Sequence, residues 1–347
     1  MESMAVKFKF KTQEYQTKAV NSVVEVFKGQ GYHDGNPYQI ERDYSAQYQH
    51  TPKALLSANA FTKLFDTGYS NYPLQLSDKQ LLLNIHTIQD HSNITRSANL
   101  STELGRCSLD IEMETGTGKT YVYIKTMFEL NQQYGWSKFI IVVPSIAIRE
   151  GVKKSLDITC EHFMDHYHKR IRSFIYNSSN LNEINDFAQS PDLFVMIINS
   201  QAFNNISSCN KNTESRIIYS ERDAFGSRRP IDILSGTNPI LILDEPQKLS
   251  GKATAEAMKN FNPLLCLNYS ATHKNQHNCV YALDALDAYN HKLVKRIEVV
   301  GIEAKNLQGT NGYLYLENIL TDLNKPPRAV LNIEQRTKSA IQRKLSN

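Results

Sequence analysis

Six consecutive residues, Thr115-Gly116-Thr117-Gly118-Lys119-Thr120, have the composition of a loop that closes around phosphate. The two glycines free backbone N–H groups to point at an anion, and a helix opening at Lys119 adds its positive N-terminal end. In that geometry Lys119 reaches the outer phosphates of a nucleotide and the Thr120 hydroxyl ligates Mg²⁺. The loop departs from the full G-x-x-x-x-G-K-[ST] pattern, because the first glycine would fall on Met113. Hydrolysis at such a site requires acids from elsewhere, and Ile240-Leu-Ile-Leu-Asp244-Glu245 supplies two directly after an apolar run. Asp244 at the carboxyl end of a buried strand suits the Mg²⁺ shell, and Glu245 can orient an attacking water.

These residues need a scaffold, and the surrounding periodicity describes one. Val20, Val23, Val24 and Phe27 recur at helical spacing over 13–28, with Gly29 as a stop. From Arg106 onward strand and helix patterns alternate. Strands are predicted over 106–113, 138–143, 172–176, 193–199, 240–243 and 264–269, and helices over 119–134, 147–168 and 252–261. The continuous apolar run Lys138-Phe-Ile-Ile-Val-Val143 fits a strand buried on both faces. Alternation of this kind predicts an α/β fold with a mostly parallel sheet around the phosphate loop, over 1–294. Two polar stretches, about 30–105 and 204–238, read as insertions, the first with a few short helices. From 295 to 347 the texture changes to strand-like runs without long helices, which predicts a small antiparallel β appendage.

The order GTGKT, then Asp244-Glu245-Pro246-Gln247, then Ser270-Ala271-Thr272 is that of superfamily 2 helicases. Gln16 and Ala19 look like the glutamine motif that reads adenine in such proteins. The acidic motif in the form DEPQ, with the block Pro144-Ser-Ile-Ala-Ile-Arg-Glu-Gly-Val152, narrows the likeness. The chain resembles the Res subunit of Type III restriction endonucleases, and the likeness continues through Leu283–Tyr289 and Leu293–Ile297. That resemblance implies a RecA-like P-loop domain binding ATP with Mg²⁺ at Lys119, Thr120 and Asp244, with Gln247, Ser270, Ala271 and Thr272 relaying nucleotide state. It implies contacts of Ser145, Arg149 and Asn199 with the backbone of double-stranded DNA. It implies a methyltransferase (Mod) partner and a later RecA-like domain with an arginine reaching the γ-phosphate, followed by a nuclease domain. No later helicase motif follows in these 347 residues.

Composition sets the outer bounds. With 41% hydrophobic and 21% charged residues the chain can bury a core, which excludes global disorder. No apolar run approaches the ~20 residues that cross a bilayer, and no apolar segment suggests a secretory signal, so a cytoplasmic location is expected. The cysteines (107, 160, 209, 266, 279) form no C-x-x-C pair, so neither a zinc ribbon nor a disulfide framework is supported. The formal charge of +4 is local: residues 325–347 carry +5, leaving the first 324 residues at −1. Net charge is therefore no argument for DNA binding. Three other patterns are read blandly. Glu303-Ala-Lys305 lacks the nearby acid of a nuclease site. His162 and His166 beside Cys160 read as a wet helix face. The tyrosines of the first insertion read as packing and turn chemistry.

The reading is an ATP-binding motor domain that couples hydrolysis to DNA translocation or switching. The alternatives are a truncated or split product that binds nucleotide without turnover, and a signalling-type nucleotide switch that never touches DNA. Because a missing arginine finger costs roughly 10³–10⁵ in rate, the polypeptide alone is expected to bind ATP and hydrolyse it very slowly. Vigorous DNA-stimulated phosphate release, abolished by Lys119→Ala, would contradict that expectation. Salt-dependent binding to duplex DNA in a shift assay would eliminate the switch.

Overall fold

The structure, a computed structural model, describes residues 10–41, 65–204, 217–222, 228–249, 251–273, 277–295, 314–322, 325–336 and 341–346. The chain divides into two units, 1–295 and 296–347. The first unit begins with helix α1 (Glu14–Glu25), the antiparallel pair β1 (Asn36–Glu41) and β2 (Phe65–Ser70), and helix α2 (Asp78–His91). Next come β3 (Ser108–Met113), α3 (Lys119–Tyr134), β4 (Lys138–Val143), α4 (Ile146–Tyr167), β5 (Arg172–Ile175), α5 (Asn182–Gln189) and β6 (Phe194–Asn199). The unit closes with α6 (Pro230–Gly236), β7 (Ile240–Asp244), α7 (Lys252–Lys259), β8 (Leu265–Ser270), β9 (Asn278–Leu283) and α8 (Ala285–Asn290). Among the described residues no helix is long and apolar enough to cross a membrane.

Seven strands form one sheet in the order β5-β6-β4-β7-β8-β3-β9, and every pairing in it is parallel. Strands β4, β6, β7 and β8 are buried at every position, as expected of central strands covered on both faces. Their side chains feed two cores. Phe139, Ile141, Val143, Ile240 and Ile242 pack with α1 to α4 on one face. Ile140, Val142, Leu241 and Leu243 pack with α5, α6 and α7 on the other. This is the expected α/β RecA-like architecture, with helices on both faces of a parallel sheet. The expected antiparallel appendage is present as β10 (Leu314–Asp322), β11 (Lys325–Arg336) and β12 (Ile341–Ser346). The run Lys295–Ala304 falls outside the described residues apart from Lys295, and so does Glu303-Ala-Lys305.

The segments expected as polar insertions are in part structural. Within 30–105, α2 is a 14-residue helix that buries Leu81, Ile85 and Ile88 in the core beside α1. Its three consecutive leucines, Leu81 to Leu83, blur the helical period; Leu83 is the one left exposed. Within 204–238, α6 buries Ile231, Ile233 and Leu234. Strand β9 is an addition to the expected elements, because Asn278-Cys-Val-Tyr-Ala-Leu283 follows directly on the polar stretch around Lys274.

Asn71 shows how the first insertion is tied in. Its amide is 1% exposed. The Oδ1 accepts from Ser137 N at 2.8 Å and Lys138 N at 2.9 Å, and Nδ2 donates to Lys138 O at 2.8 Å and Asn238 O at 3.0 Å. One side chain thus satisfies backbone groups at the amino ends of β4 and β7. Replacing it strands several buried polar groups, each worth about 1–3 kcal/mol. Asn71→Ala is expected to lower the thermal midpoint by about 5 °C or more; a change within about 1 °C in a melting experiment would refute this account of the anchor.

Candidate nucleotide-binding site

Parallel strands send all their carboxyl ends to one edge, and the chemistry-bearing residues lie there. The Thr115–Thr120 loop follows β3, Asp244 ends β7, Ser270 ends β8, and Ser145 and Asn199 follow or end the paired strands β4 and β6. Strand β8 sits between β3 and β7, so the loop and the acids are two strands apart. The side chains bridge that gap: Lys119 Nζ is 3.1 Å from Glu245 Oε1 and 3.2 Å from the Met113 carbonyl. Met113, where the longer pattern would have its first glycine, is the fully buried last residue of β3. The turn proper starts after it, so no glycine is required there.

Gly116 and Gly118 have φ of +85° and +90°, the left-handed region glycine enters without strain. A side chain at Gly118 would run into the Gln16 amide at 2.5 Å, whereas the space beside Gly116 is open. Thr115 is exposed and Thr117 buried, with the Thr117 hydroxyl donating to Glu114 O at 2.6 Å. From α1, Tyr15 Oη and Gln16 Nε2 both donate to the Thr117 carbonyl, at 2.8 and 3.1 Å. Gln16 therefore braces the loop in this structure, and Ala19 lies wholly in the core. An open-faced loop with a lysine and a helix N-terminus behind it is suited to an anion of phosphate type.

The acidic side of the site is tightly held. Asp244 is 6% exposed; burial, then the neighbouring Glu245 charge, pushes its carboxyl up to about 6. Glu245 takes φ +57°, uncommon for a residue with a side chain, and a feature that clusters at functional sites. Its two oxygens are both engaged, Oε1 by Lys119 and Oε2 by the Gln247 amide. Gln247 Oε1 lies 2.7 Å from Ser270 Oγ, which in turn receives Thr272 N at 3.1 Å. Ala271 is half-buried and Thr272 exposed. A carboxylate at Asp244 and a hydroxyl at Thr120 are hard oxygen donors of the kind that fit Mg²⁺. A cation there would also relieve the burial of the Asp244 charge.

A match to the family model described as Type III restriction enzyme, res subunit, runs over residues 9–275. The chain belongs to that family. It is 34% identical over 247 residues to the Res subunit of the Type III restriction-modification enzyme EcoP15I of Escherichia coli, covering 66% of this chain and 25% of the relative. The corresponding EcoPI subunit of Escherichia phage P1 is 32% identical over 246 residues, 65% and 25% of the two chains. The StyLTI subunit of Salmonella typhimurium is 28% identical over 264 residues, 66% and 26%. The chain spans about a quarter of the length of these relatives.

The residues expected to touch DNA are presented unequally. Ser145 caps α4, accepting from Ile148 N at 3.4 Å. Arg149 is bound to Glu150 at 3.0 Å, and Asn199 is 4% exposed. On the far side of α4, His162 spends Nε2 on the Tyr121 hydroxyl at 2.9 Å. Among the described residues no group of three or more metal-ligating side chains forms.

Sequence reasoning missed a charged network behind Ser270–Thr272. Asp110 on β3, 2% exposed, accepts from Asn268 Nδ2 at 2.8 Å, His277 N at 2.7 Å and His277 Nδ1 at 2.9 Å. His277 Nε2 reaches Glu103 at 2.9 Å. Burial works against the His277 charge, but its bonds to Asp110 and Glu103 lift it to about 9. Burial likewise opposes the Asp110 charge, and the His277 hydrogen bond and nearby imidazoles hold the carboxyl below its ordinary range. Only the spacing of Asp110 within an apolar strand hints at this from sequence. The histidine's stabilisation is complete below its unfolded value near 6.5 and fades as pH rises through 9; the aspartate's is lost as pH falls below its ordinary 3.8. Between about pH 6 and 9.5 the protein is expected to lose about 2–3 kcal/mol more stability than His277→Gln. Parallel stability curves for the two proteins would exclude the charged pair.

Proposed function

We propose that this chain is the ATP-binding motor part of a Type III restriction enzyme Res subunit. It couples ATP hydrolysis to translocation or switching on double-stranded DNA, which licenses endonucleolytic cleavage by the complete enzyme with a methyltransferase (Mod) partner. A cytoplasmic location accompanies that reading. The observation that carries it is the convergence of Lys119 on Glu245 across the carboxyl edge of a parallel sheet. In this reading the loop amides of 115–120 and Lys119 bind the phosphates, and Gln16 keeps the loop shaped for them while facing the nucleoside side. Thr120 and Asp244 hold Mg²⁺, which neutralises phosphate charge when bound.

Glu245 orients the attacking water. Lys119 and Gln247 each engage one of its oxygens, so a phosphate that draws Lys119 away frees one of them. Gln247 and Ser270 touch Glu245 directly or through one bond. In this reading they pass the state of the γ-phosphate to Thr272, whose amide bonds Ser270. Ser145 and Arg149, at the start of α4, and Asn199, at the end of β6, are assigned to the DNA side.

Radiolabelled phosphate release and filter binding of Mg²⁺-ATP, with and without duplex DNA, separate these roles. Glu245→Gln is expected to bind Mg²⁺-ATP about as well as the unaltered chain, while the slow turnover expected of that chain falls by roughly 100-fold or more. Lys119→Ala is expected to lose binding as well. Unchanged turnover in Glu245→Gln would remove Glu245 from the mechanism, and unchanged ATP binding in Lys119→Ala would remove the phosphate site itself.

A further inference from the structure

Tyr123 is a polar group at the metal end of the site that the roles above leave unused. On α3 it follows Thr120 by three residues and Lys119 by four, the spacing that puts all three on one helix face. The side chain is fully buried, and its ring meets Tyr269 edge-on with centroids 5.5 Å apart. Tyr269 is the β8 residue paired with Asp244 across the sheet. The Tyr123 hydroxyl accordingly lies within reach of Thr120 and Asp244. Yet among the described residues no atom completes a hydrogen bond of normal geometry to it. Tyr269, the other ring of the pair, does have a partner, donating to Thr126 Oγ1 at 3.1 Å.

An unpaired phenol in a protein interior is costly, and buried polar groups without partners mark functional sites or absent ligands. Phenylalanine would fill the same space without that penalty. What the hydroxyl adds is a donor beside the buried carboxylate of Asp244. We propose that Tyr123 is a positioning residue for the divalent cation: its hydroxyl donates to Asp244 when the cation is bound and fixes how that carboxylate faces the metal. The inference rests on the Mg²⁺-nucleotide reading given above. Hydrogen bonds of this type, one step removed from the metal, typically change its affinity by about 10- to 100-fold.

The test uses the full 347-residue chain with ADP and Mn²⁺ as probe, free Mn²⁺ being counted by electron paramagnetic resonance. ADP binding in EDTA and the thermal midpoint of the ligand-free protein are measured alongside. In Tyr123→Phe, Mn²⁺ affinity in the presence of ADP is expected to fall about 10-fold. ADP binding in EDTA should stay within about twofold of the unaltered chain, and the ligand-free midpoint should be unchanged or higher, because only an unpaired oxygen has been removed. Tyr269→Phe keeps the ring contact and removes a hydroxyl bonded elsewhere, so its Mn²⁺ affinity should match the unaltered chain. Unchanged Mn²⁺ affinity in Tyr123→Phe overturns the proposal while leaving the nucleotide site intact. A lower ligand-free midpoint, or weaker ADP binding in EDTA, overturns it in favour of a structural hydroxyl. Failure of the unaltered chain to take up Mn²⁺ with ADP overturns this proposal and the nucleotide reading together.

Discussion

One ammonium group faces two adjacent carboxylates at the edge of the sheet, and much of the first unit serves that arrangement. Lys119 stands 3.1 Å from Glu245, with Asp244 buried just behind. Two acids in sequence at a strand end repel each other, and burial penalises the charge on Asp244 further. Such a site is poorly satisfied by protein groups alone. A triphosphate and a divalent cation would complete it, the first by engaging Lys119, the second by neutralising Asp244.

The sheet accounts for why these groups meet. Lys119 and Glu245 are far apart in sequence, yet the all-parallel order brings the ends of β3, β8 and β7 side by side. At the carboxyl end of each strand a buried apolar or aromatic residue immediately precedes the functional group: Met113 before the loop, Leu243 before Asp244, Tyr269 before Ser270. The apolar runs thus do two things. They drive the strands into the interior, and they set how far along each strand the first functional side chain emerges. On the opposite edge Asn71 holds the amino ends of β4 and β7 together with a single amide.

Elements with continuous apolar runs or strong local signals are legible in the sequence. The glycine loop, the acids where β7 ends, the helix between Gly118 and Gly135, and the antiparallel texture after 295 all carry their cause in adjacent residues. What is not legible depends on distant partners. Helix α2 hides in a polar segment because its apolar face is narrow and its remaining positions face water. Strand β9 reads ambiguously because its neighbours are β3 and α2 rather than anything nearby in sequence. Gln16 carries a motif, but its bond to the Thr117 carbonyl is visible only in three dimensions. Asp110 and Tyr123 look like a stray acid in a strand and a core aromatic until their surroundings are known.

The central claim is that the carboxyl edge around 114–121 and 244–247 is where this chain holds a nucleotide. Amide hydrogen exchange with and without Mg²⁺-ADP reads that edge directly, peptide by peptide. The account predicts slowed exchange concentrated in peptides covering 114–121 and 244–247. Helices α5, α6 and α7, on the face of the sheet away from α1 to α4, should be unaffected. Exchange that is unchanged at both segments with saturating Mg²⁺-ADP, or slowed only elsewhere, would contradict it.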